Sequence, residues 1–266
     1  MKNLILFAIL LFIVRPAAAQ TRVTDVTQSS LKGKVKCVVT YIFRGGNHPD
    51  PDTTASAEKT IKTFDEKGWA LEEKMYDKSG ELLERFSFEY SGDSIAVKNQ
   101  FDGSGKLFVK YIFKYDAQGE VTEFDMTSDA QPQIGLAKID YRCIYKYDEL
   151  GNRVTEEQYI NHDNLSMKTT STYNSQHQRI QSDEVSFLGK TVKKSKAIYT
   201  YDNSGIQVKF QIYDADGKLT RGNTMSYDSY DKYGNWLTET SSYSGHSTNQ
   251  GDFIFKTIIK RQIEYY

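Results

Sequence analysis

The sequence predicts an all-β protein, in which an antiparallel β-meander of tandem hairpin repeats curls into a half-shell, a spiral or a barrel-like sheet. Three observations lead to this fold class. One turn motif recurs along the chain, the segments between its copies alternate apolar and polar residues, and only four prolines occur in 266 residues. Alternation with a period of two is typical of half-buried strands, and proline would interrupt the hydrogen bonds between them.

The turn motif is an aromatic residue followed by Asp, two variable residues and Gly. In this pattern the Asp side chain accepts a hydrogen bond from the N–H two residues on, and Gly takes the positive φ of a type I turn closed by a G1 bulge. Each copy therefore predicts a reversal of the strand. Clear copies begin at Phe64, Tyr76, Phe101, Tyr115, Tyr147, Tyr201, Tyr213 and Tyr230, and a degenerate copy begins at Tyr173.

The segments between the turns supply the strands. Aromatic anchors lie alternately about 12 and about 14 residues apart, so a unit of about 26 residues contains two strands and two turns. We expect an antiparallel meander of roughly 14 to 16 strands whose aromatic face turns inward, because a one-faced sheet of that size twists and curls, into either a closed barrel or an open shell. The alternation is clearest in Val35–Phe43, Leu82–Tyr90, Leu107–Tyr115 and Ile139–Tyr147.

The first residues have the composition of a secretory signal peptide. Lys2 supplies the positive charge, Leu4–Val14 the apolar segment and Ala17–Ala19 the small residues of a cleavage site. We therefore expect residues 1–19 to be removed and residues 20–266 to form a single exported domain, in the periplasm, the outer envelope or outside the cell. The apolar segment is shorter than the roughly 20 residues that cross a bilayer, so we expect no integral membrane span; a retained membrane anchor is the alternative.

Charge and cysteine content limit the partners. Lys and Arg number 34 against 35 Asp and Glu, with both signs interleaved, so the chain has no basic surface that would predict a nucleic-acid partner. Cys37 and Cys143 are the only cysteines. Both occupy strand positions that we expect to face inward, and a disulfide and two separate buried thiols are both compatible with the pattern.

The sequence contains no recognisable catalytic or metal-binding motif. Each turn offers one Asp carboxylate, whereas Ca²⁺ requires six to eight converging oxygens, so we interpret the motif aspartates as turn formers. His48, beside Asp50 and Asp52, is the only local group with ligand chemistry, and a solvated loop explains it better. We expect no enzyme activity, no cofactor, no metal and no catalytic residues.

Tyrosine is the most informative residue type, with 19 in the chain. Its ring is apolar and its hydroxyl polar, which suits a surface that stacks on sugar rings or lines an amphiphile groove. The alternative is that the same rings fill the core and pair across strands. The ligand-binding candidates are Tyr111, Tyr141, Tyr145, Tyr147, Tyr199 and Tyr201.

The Tyr-Asp-x-x-Gly spacing at Tyr147–Gly151 and Tyr201–Gly205 resembles the YD repeat of the RHS family. The resemblance covers most of residues 64–243. It implies a β-shell of the kind with which large RHS proteins enclose a toxin, and it implies exported, cell-envelope and carbohydrate-binding roles. This chain is too short to enclose a folded domain and has no segment resembling a toxin after Tyr243, so toxin delivery is not expected.

These observations predict an exported, non-enzymatic β-repeat protein that acts as a binding or structural module of the cell envelope, with carbohydrate as a candidate ligand. A carrier that holds a lipid or another amphiphile against a concave aromatic face is the alternative. An enzyme whose site is assembled from distant repeats is a second alternative. No feature of the sequence identifies a protein partner.

Overall fold

The computed structural model describes residues 25, 29, 31–45, 51–128, 139–161, 163–189, 191–247 and 251–266, so the predicted signal peptide lies outside the described residues. The described residues form sixteen β-strands. In chain order these are β1 (Val35–Arg44), β2 (Glu58–Phe64), β3 (Ala70–Tyr76), β4 (Leu82–Ser91), β5 (Ser94–Asp102), β6 (Leu107–Tyr115), β7 (Val121–Ser128), β8 (Ile139–Tyr147), β9 (Arg153–Ile160), β10 (Asn164–Tyr173), β11 (Arg179–Leu188), β12 (Thr191–Tyr201), β13 (Gln207–Asp214), β14 (Leu219–Tyr230), β15 (Trp236–Ser247) and β16 (Gly251–Tyr265).

The sheet is a closed barrel. Each strand is antiparallel to the strands before and after it in the chain, and β1 pairs with β16 from Val35 opposite Tyr265 to Arg44 opposite Thr257. The predicted antiparallel meander is therefore confirmed, and closure removes the exposed edges that an open shell would have. In the part of the chain that the structure describes, no helix is long and apolar enough to cross a membrane.

The turn motif folds as predicted. At Asp65, the side-chain Oδ1 accepts hydrogen bonds from the N–H groups of Lys67 and Trp69, both at 2.9 Å, and the N–H of Gly68 donates to the Asp65 carbonyl at 3.0 Å. Gly68 has a φ of 90°. The other seven clear copies form the same bonds. In the degenerate copy, Asn174 accepts the bonds and His177 takes the positive φ, 62°.

The turns divide between two rims. The turns after even-numbered strands, with the start of β1 and the end of β16, form one rim, which we call the tight-turn rim. The turns after odd-numbered strands form the other, the loop rim, where the strand ends joined by residues 45–57, 129–138 and 248–250 lie. The connections after β1, β7 and β15 therefore all join strands at the loop rim.

The two faces of the barrel wall differ in burial and charge. Cross-strand pairing links Lys62, Glu73, Phe86, Gln100 and Val109 in one row on one face. We call it the inner face because buried strand residues concentrate on it: Val38, Phe64, Phe86, Gln100, Val109, Ser128, Cys143, Ser182, Ser241 and Thr257.

The outer face carries ion pairs. Glu123 on β7 accepts from Lys114 on β6 and from Arg142 on β8, the latter at 2.9 Å. Glu157 on β9 pairs with Lys168 on β10 at 2.8 Å. The hydrogen bonds from Arg142 and Lys114 hold the pKa of Glu123 below its ordinary value, although burial acts in the opposite direction. The wall thus presents charges outward and most of its buried side chains inward.

Motif aromatics face inward at the tight-turn rim, except the exposed Tyr230, and outward at the loop rim. Phe64 and Tyr115 lie on the inner face, whereas Tyr76 and Phe101 lie on the outer face beneath Lys59 and Arg85, respectively. The reason is geometric. Each strand pairs with the next one in the same direction around the barrel. A hairpin at one rim therefore turns one side of the sheet toward the lumen, and an identical hairpin at the opposite rim turns the other side toward it.

Strand β1 corrects one expectation. We expected Val35, Cys37, Val39, Tyr41 and Phe43 to share the inward face, but a bulge between Val35 and Cys37 reverses the alternation. Val35 is 1% exposed in the inner cluster, while the four residues that follow it in the pattern lie on the outer face. The outward Phe43 is nevertheless buried, because residues 53–57 fold beside it.

A cluster of buried hydrophobic residues lies beside the seam between β1 and β16, with Ile263 and Tyr265 of β16 packed against it. The cluster contains Leu31, Val35, Val38, Phe64 and Ala70. The segment before β1 is held by a side chain from the turn between β14 and β15: Asn235 accepts from the N–H of Lys32 at 2.7 Å and donates to its carbonyl at 2.9 Å.

Both cysteines are free. Cys143 lies on the inner face of β8, where burial, with a smaller contribution from Glu156, raises the pKa of its thiol to about 12. Cys37 lies on the outer face of β1, so the expectation of an inward position is wrong for this residue. The two thiols are seven strands apart around the barrel, and the disulfide that the sequence left open is not formed.

Candidate functional site

A cavity of about 380 Å³ lies inside the barrel next to the tight-turn rim, along β2 to β8. Its inner end is lined by Lys62, Glu73, Phe88, Lys98 and Phe113, all on the inner face. Its rim end is lined by Asp25, Trp69, Ser94, Tyr115, Glu120 and Tyr147, among others. Side chains from seven consecutive strands thus form one concave surface.

Tyrosine hydroxyls fix the rings at the rim end. Tyr115 donates to the carbonyl of Ile95 at 2.8 Å, and Tyr147 donates to that of Val121 at 2.9 Å. Each bond joins the end of an even-numbered strand to the start of the preceding odd-numbered strand. The same bond recurs around the rim at Tyr90, Tyr173, Tyr201 and Tyr227. The hydroxyls are therefore bound to the wall, and the ring faces remain to line the lumen.

Two lysines lie among the rings at the inner end. The Lys98 ammonium is 4.2 Å from the ring centre of Phe86 and 5.5 Å from that of Tyr111. The Lys62 ammonium is 5.9 Å from the ring centre of Phe88. Burial lowers the pKa of Lys98, the nearby Glu73 acts in the opposite direction, and Lys62 lowers it further.

Asp25 and Ser94 are buried polar residues at the rim end. The Asp25 side chain is 5% exposed, and its Oδ2 accepts hydrogen bonds from the N–H of Ala70 at 2.8 Å and the hydroxyl of Tyr90 at 2.7 Å. Burial, followed by the bond to Asp25, raises the pKa of Tyr90. Ser94 is 7% exposed, and its hydroxyl has no hydrogen-bond partner among the described residues.

All six tyrosine candidates lie on the inner face and are half-buried. Only Tyr147 lines the cavity along β2 to β8. Tyr111 donates to Gln100 at 2.9 Å, Tyr141 donates to Gln158, and Tyr199 shares a hydrogen bond with Ser182 at 3.1 Å. Tyr145 packs against Phe124, and Tyr201 donates to the carbonyl of Arg179. The structure therefore spreads these residues along the wall and does not bring all six together.

Comparison with known proteins bears on the fold. No protein-family model matches the chain, and no curated protein matches it significantly. A porin-like protein from Bacteroides uniformis superposes with a TM-score of 0.53 at 9% identity, over 86% of this chain and 98% of that protein. The Tc holotoxin pore of Photorhabdus luminescens gives a TM-score of 0.30 at 14% identity, over 75% of this chain and 13% of that one. Only the first score supports a shared fold.

The likeness is one of fold. At this level of identity, the similarity to the porin-like protein extends to the closed antiparallel barrel and no further. Chemical information must therefore come from the side chains of the barrel itself. Among the described residues, no group of three or more His, Cys, Asp or Glu side chains is placed to hold a metal ion.

Sequence reasoning missed most of the cavity. It took its ligand-binding candidates from the tyrosines alone, so Lys62, Glu73 and Lys98 were not identified. A signal was present: the Gly92 turn pairs Ser91 with Ser94, and counting back along this hairpin brings Lys98 close to Phe88. A bulge shifts this register by one residue, and that shift decides which face Lys98 occupies.

Proposed function

We propose that this chain is an exported, non-enzymatic barrel of the cell envelope that binds a saccharide in its lumen. The lining of the cavity carries the proposal, since the rings of Trp69, Phe88 and Phe113 stand among hydrogen-bonding groups of both charge signs. A saccharide offers C–H faces that stack on rings and hydroxyls that both donate and accept. Apolar surface with a few placed polar groups is the usual composition of a small-molecule site.

The outer wall supports an aqueous surrounding. Barrels that cross an outer membrane carry an apolar band toward the lipid, and a charged side chain at mid-bilayer costs about 2–4 kcal/mol. Here Lys114, Glu123, Arg142 and Glu157 face outward from consecutive strands. The proposal therefore keeps the barrel in water, in the periplasm or at the cell surface, despite its porin-like fold.

Fluorescence tests saccharide binding directly, because the chain has two tryptophans and only Trp69 lines the cavity. In a Trp236→Phe variant, Trp69 is the only indole, and a bound oligosaccharide should change its emission. The matched Trp69→Phe variant reports on Trp236, which lies on β15, and its emission should stay constant. A panel of neutral and acidic oligosaccharides that leaves both emissions unchanged would contradict the proposal.

Export has its own test. Cell fractionation followed by N-terminal sequencing should find the chain in the envelope or the medium, starting at Gln20. Recovery from the membrane fraction with residues 1–19 attached would support the retained anchor instead.

An amphiphile carrier is the second candidate, and a row of aromatic rings that extends from the cavity along the inner face favours it. Phe124 lies 5.8 Å from Phe113 and 6.0 Å from Tyr145 between ring centres, and all three rings are half-buried on the inner face. Native mass spectrometry of the protein from its own envelope fraction, before and after organic extraction, distinguishes the candidates. Loss of a discrete extractable mass would favour the carrier.

A further inference from the structure

We infer that the saccharide bound in this cavity carries an acidic group, which Lys98 binds with help from Lys62. The inference rests on the proposed function and adds the chemical class of the ligand. It follows from the hydrogen-bonding capacity of the Lys62 and Lys98 ammonium groups and from the buried hydroxyl of Ser94. All three residues line the cavity.

The lumen lysines differ from three lysines of the outer face that form ion pairs. Lys36, Lys114 and Lys168 each contact a carboxylate oxygen. Among the described residues, neither Lys62 nor Lys98 forms an ion pair or a hydrogen bond, and aromatic rings are their contacts instead. An ammonium has three N–H donors, and rings replace only part of the hydration that burial removes. Both groups therefore have donors free for a ligand.

The charged protein groups around Lys98 do not form an ion pair with its ammonium. Glu73 on β3 and Glu84 on β4 act on Lys98 through space, as does Lys62 on β2, while β6 contributes the ring of Tyr111. The two carboxylates are not within ion-pairing distance of the Lys98 ammonium. A ligand carboxylate that reaches Lys98 would gain charge-assisted hydrogen bonds in a partly desolvated site, where such bonds are strong.

Ser94 supplies a second, independent observation. It lies on the same strand as Lys98, at the end of β5 nearest the tight-turn rim, and both residues line the cavity. The residue belongs to the cavity lining, and its buried hydroxyl has no hydrogen-bond partner in the part of the chain that the structure describes. Buried polar groups normally find partners, and an orphaned hydroxyl in a cavity indicates where a ligand group binds.

The experiment compares an oligogalacturonate with a neutral oligogalactose of equal length by titration calorimetry. We expect the wild-type protein to bind the acidic probe at least tenfold more tightly. Lys98→Met should remove most of this preference while keeping the affinity for the neutral probe, and Lys98→Arg should restore part of it. Lys110→Met, on the outer face of β6, is the matched control and should bind as the wild type does.

The affinity for the acidic probe should also fall as pH rises through the lowered pKa of Lys98, because the ammonium loses its charge there. Equal affinity for the two probes, with no effect of Lys98→Met, would overturn the inference and leave saccharide binding intact. Failure of the wild-type protein to bind either probe would overturn both. Circular dichroism of each variant confirms that the barrel is folded before binding is compared.

Discussion

Asn235 is the residue on which the seam most depends. Its side chain bonds the N–H and carbonyl of Lys32 and also donates to the Tyr265 hydroxyl at 2.7 Å, and it is 2% exposed. In the motif copy at Asp148, the equivalent residue Asn152 donates to Asp148 within its own turn and forms one exposed hydrogen bond with the His177 ring of the next turn at the same rim. Two residues at the same motif position thus have different structural roles, and the difference can be measured.

We expect Asn235→Ala to lower the free energy of unfolding by about 2–4 kcal/mol, because it leaves buried backbone groups of Lys32 without partners. Asn152→Ala, the matched control, should cost less than about 1 kcal/mol, because its side-chain bonds to Asp148 and His177 are exposed and water replaces them. Urea denaturation of the two variants measures both values. Equal losses would show that the turn, and not the seam, is what Asn235 supports.

Asp231 gives the seam a dependence on pH. Burial acts to raise the pKa of its carboxyl, but hydrogen bonds from Tyr265 and Asn235 bring it below its ordinary value. A group with a lowered folded pKa stabilises the fold above its unfolded pKa, about 4, and loses this contribution as pH falls through the folded value. Between pH 5 and pH 2, the urea midpoint of the wild type should therefore fall more steeply than that of Asp231→Asn. Parallel curves would contradict this role.

At the scale of the element, the turn motif is local and could be predicted in full. Its bonds join residues within five positions, so the spacing of Asp and Gly is sufficient information. The face of the sheet that a strand residue occupies, by contrast, is not determined by nearby sequence. The bulge after Val35 and the register shift near Tyr90 each move a side chain to the other face, and both depend on the neighbouring strand. Cys37 and Lys98 were misplaced or missed for this reason.

A substitution at Gly80 measures the free-energy cost of a positive φ in the turn without a steric clash. The φ of this glycine is 87°, and a Cβ added there meets no atom within 4 Å, so Gly80→Ala introduces backbone strain without a steric clash. We expect a loss of about 1 kcal/mol in the free energy of unfolding. Lys78→Ala in the same turn has no such requirement and should be neutral within about 0.5 kcal/mol. Thermal unfolding of both variants checks the difference, and a neutral Gly80→Ala would refute the assigned conformation.

At the scale of the whole molecule, strand number follows from repeat number. Closure requires an even number of strands in a pure antiparallel meander, and each unit contributes two. The sequence correctly predicted close to this number from the motif spacing. It could not decide closure, because the pairing of β1 with β16 joins residues from opposite ends of the chain, such as Val38 and Ile263.

Removing one unit should leave a closed barrel. Deletion of residues 148–173 joins Tyr147 to the Asn174 turn and removes β9 and β10. Every remaining turn then stays at the same rim of the barrel as in the full-length protein. We expect a folded, monodisperse protein with a lower melting temperature and a smaller radius in X-ray scattering. Deletion of residues 148–160, which removes β9 alone, places β10 in the wrong direction and should aggregate. A folded single-strand deletion would contradict the pairing scheme.

The open lumen has a consequence under hydrostatic pressure. Pressure unfolds proteins chiefly by eliminating internal voids that water cannot enter. Most inner-face side chains of this barrel are only half-buried, which means that water reaches the wall from within. The lumen therefore contributes little to the volume change of unfolding, and the sealed packing around Val35 and Phe64 contributes most of it. The barrel should resist pressure as a much smaller protein would, with the buried cluster at the seam as the main source of its volume change on unfolding.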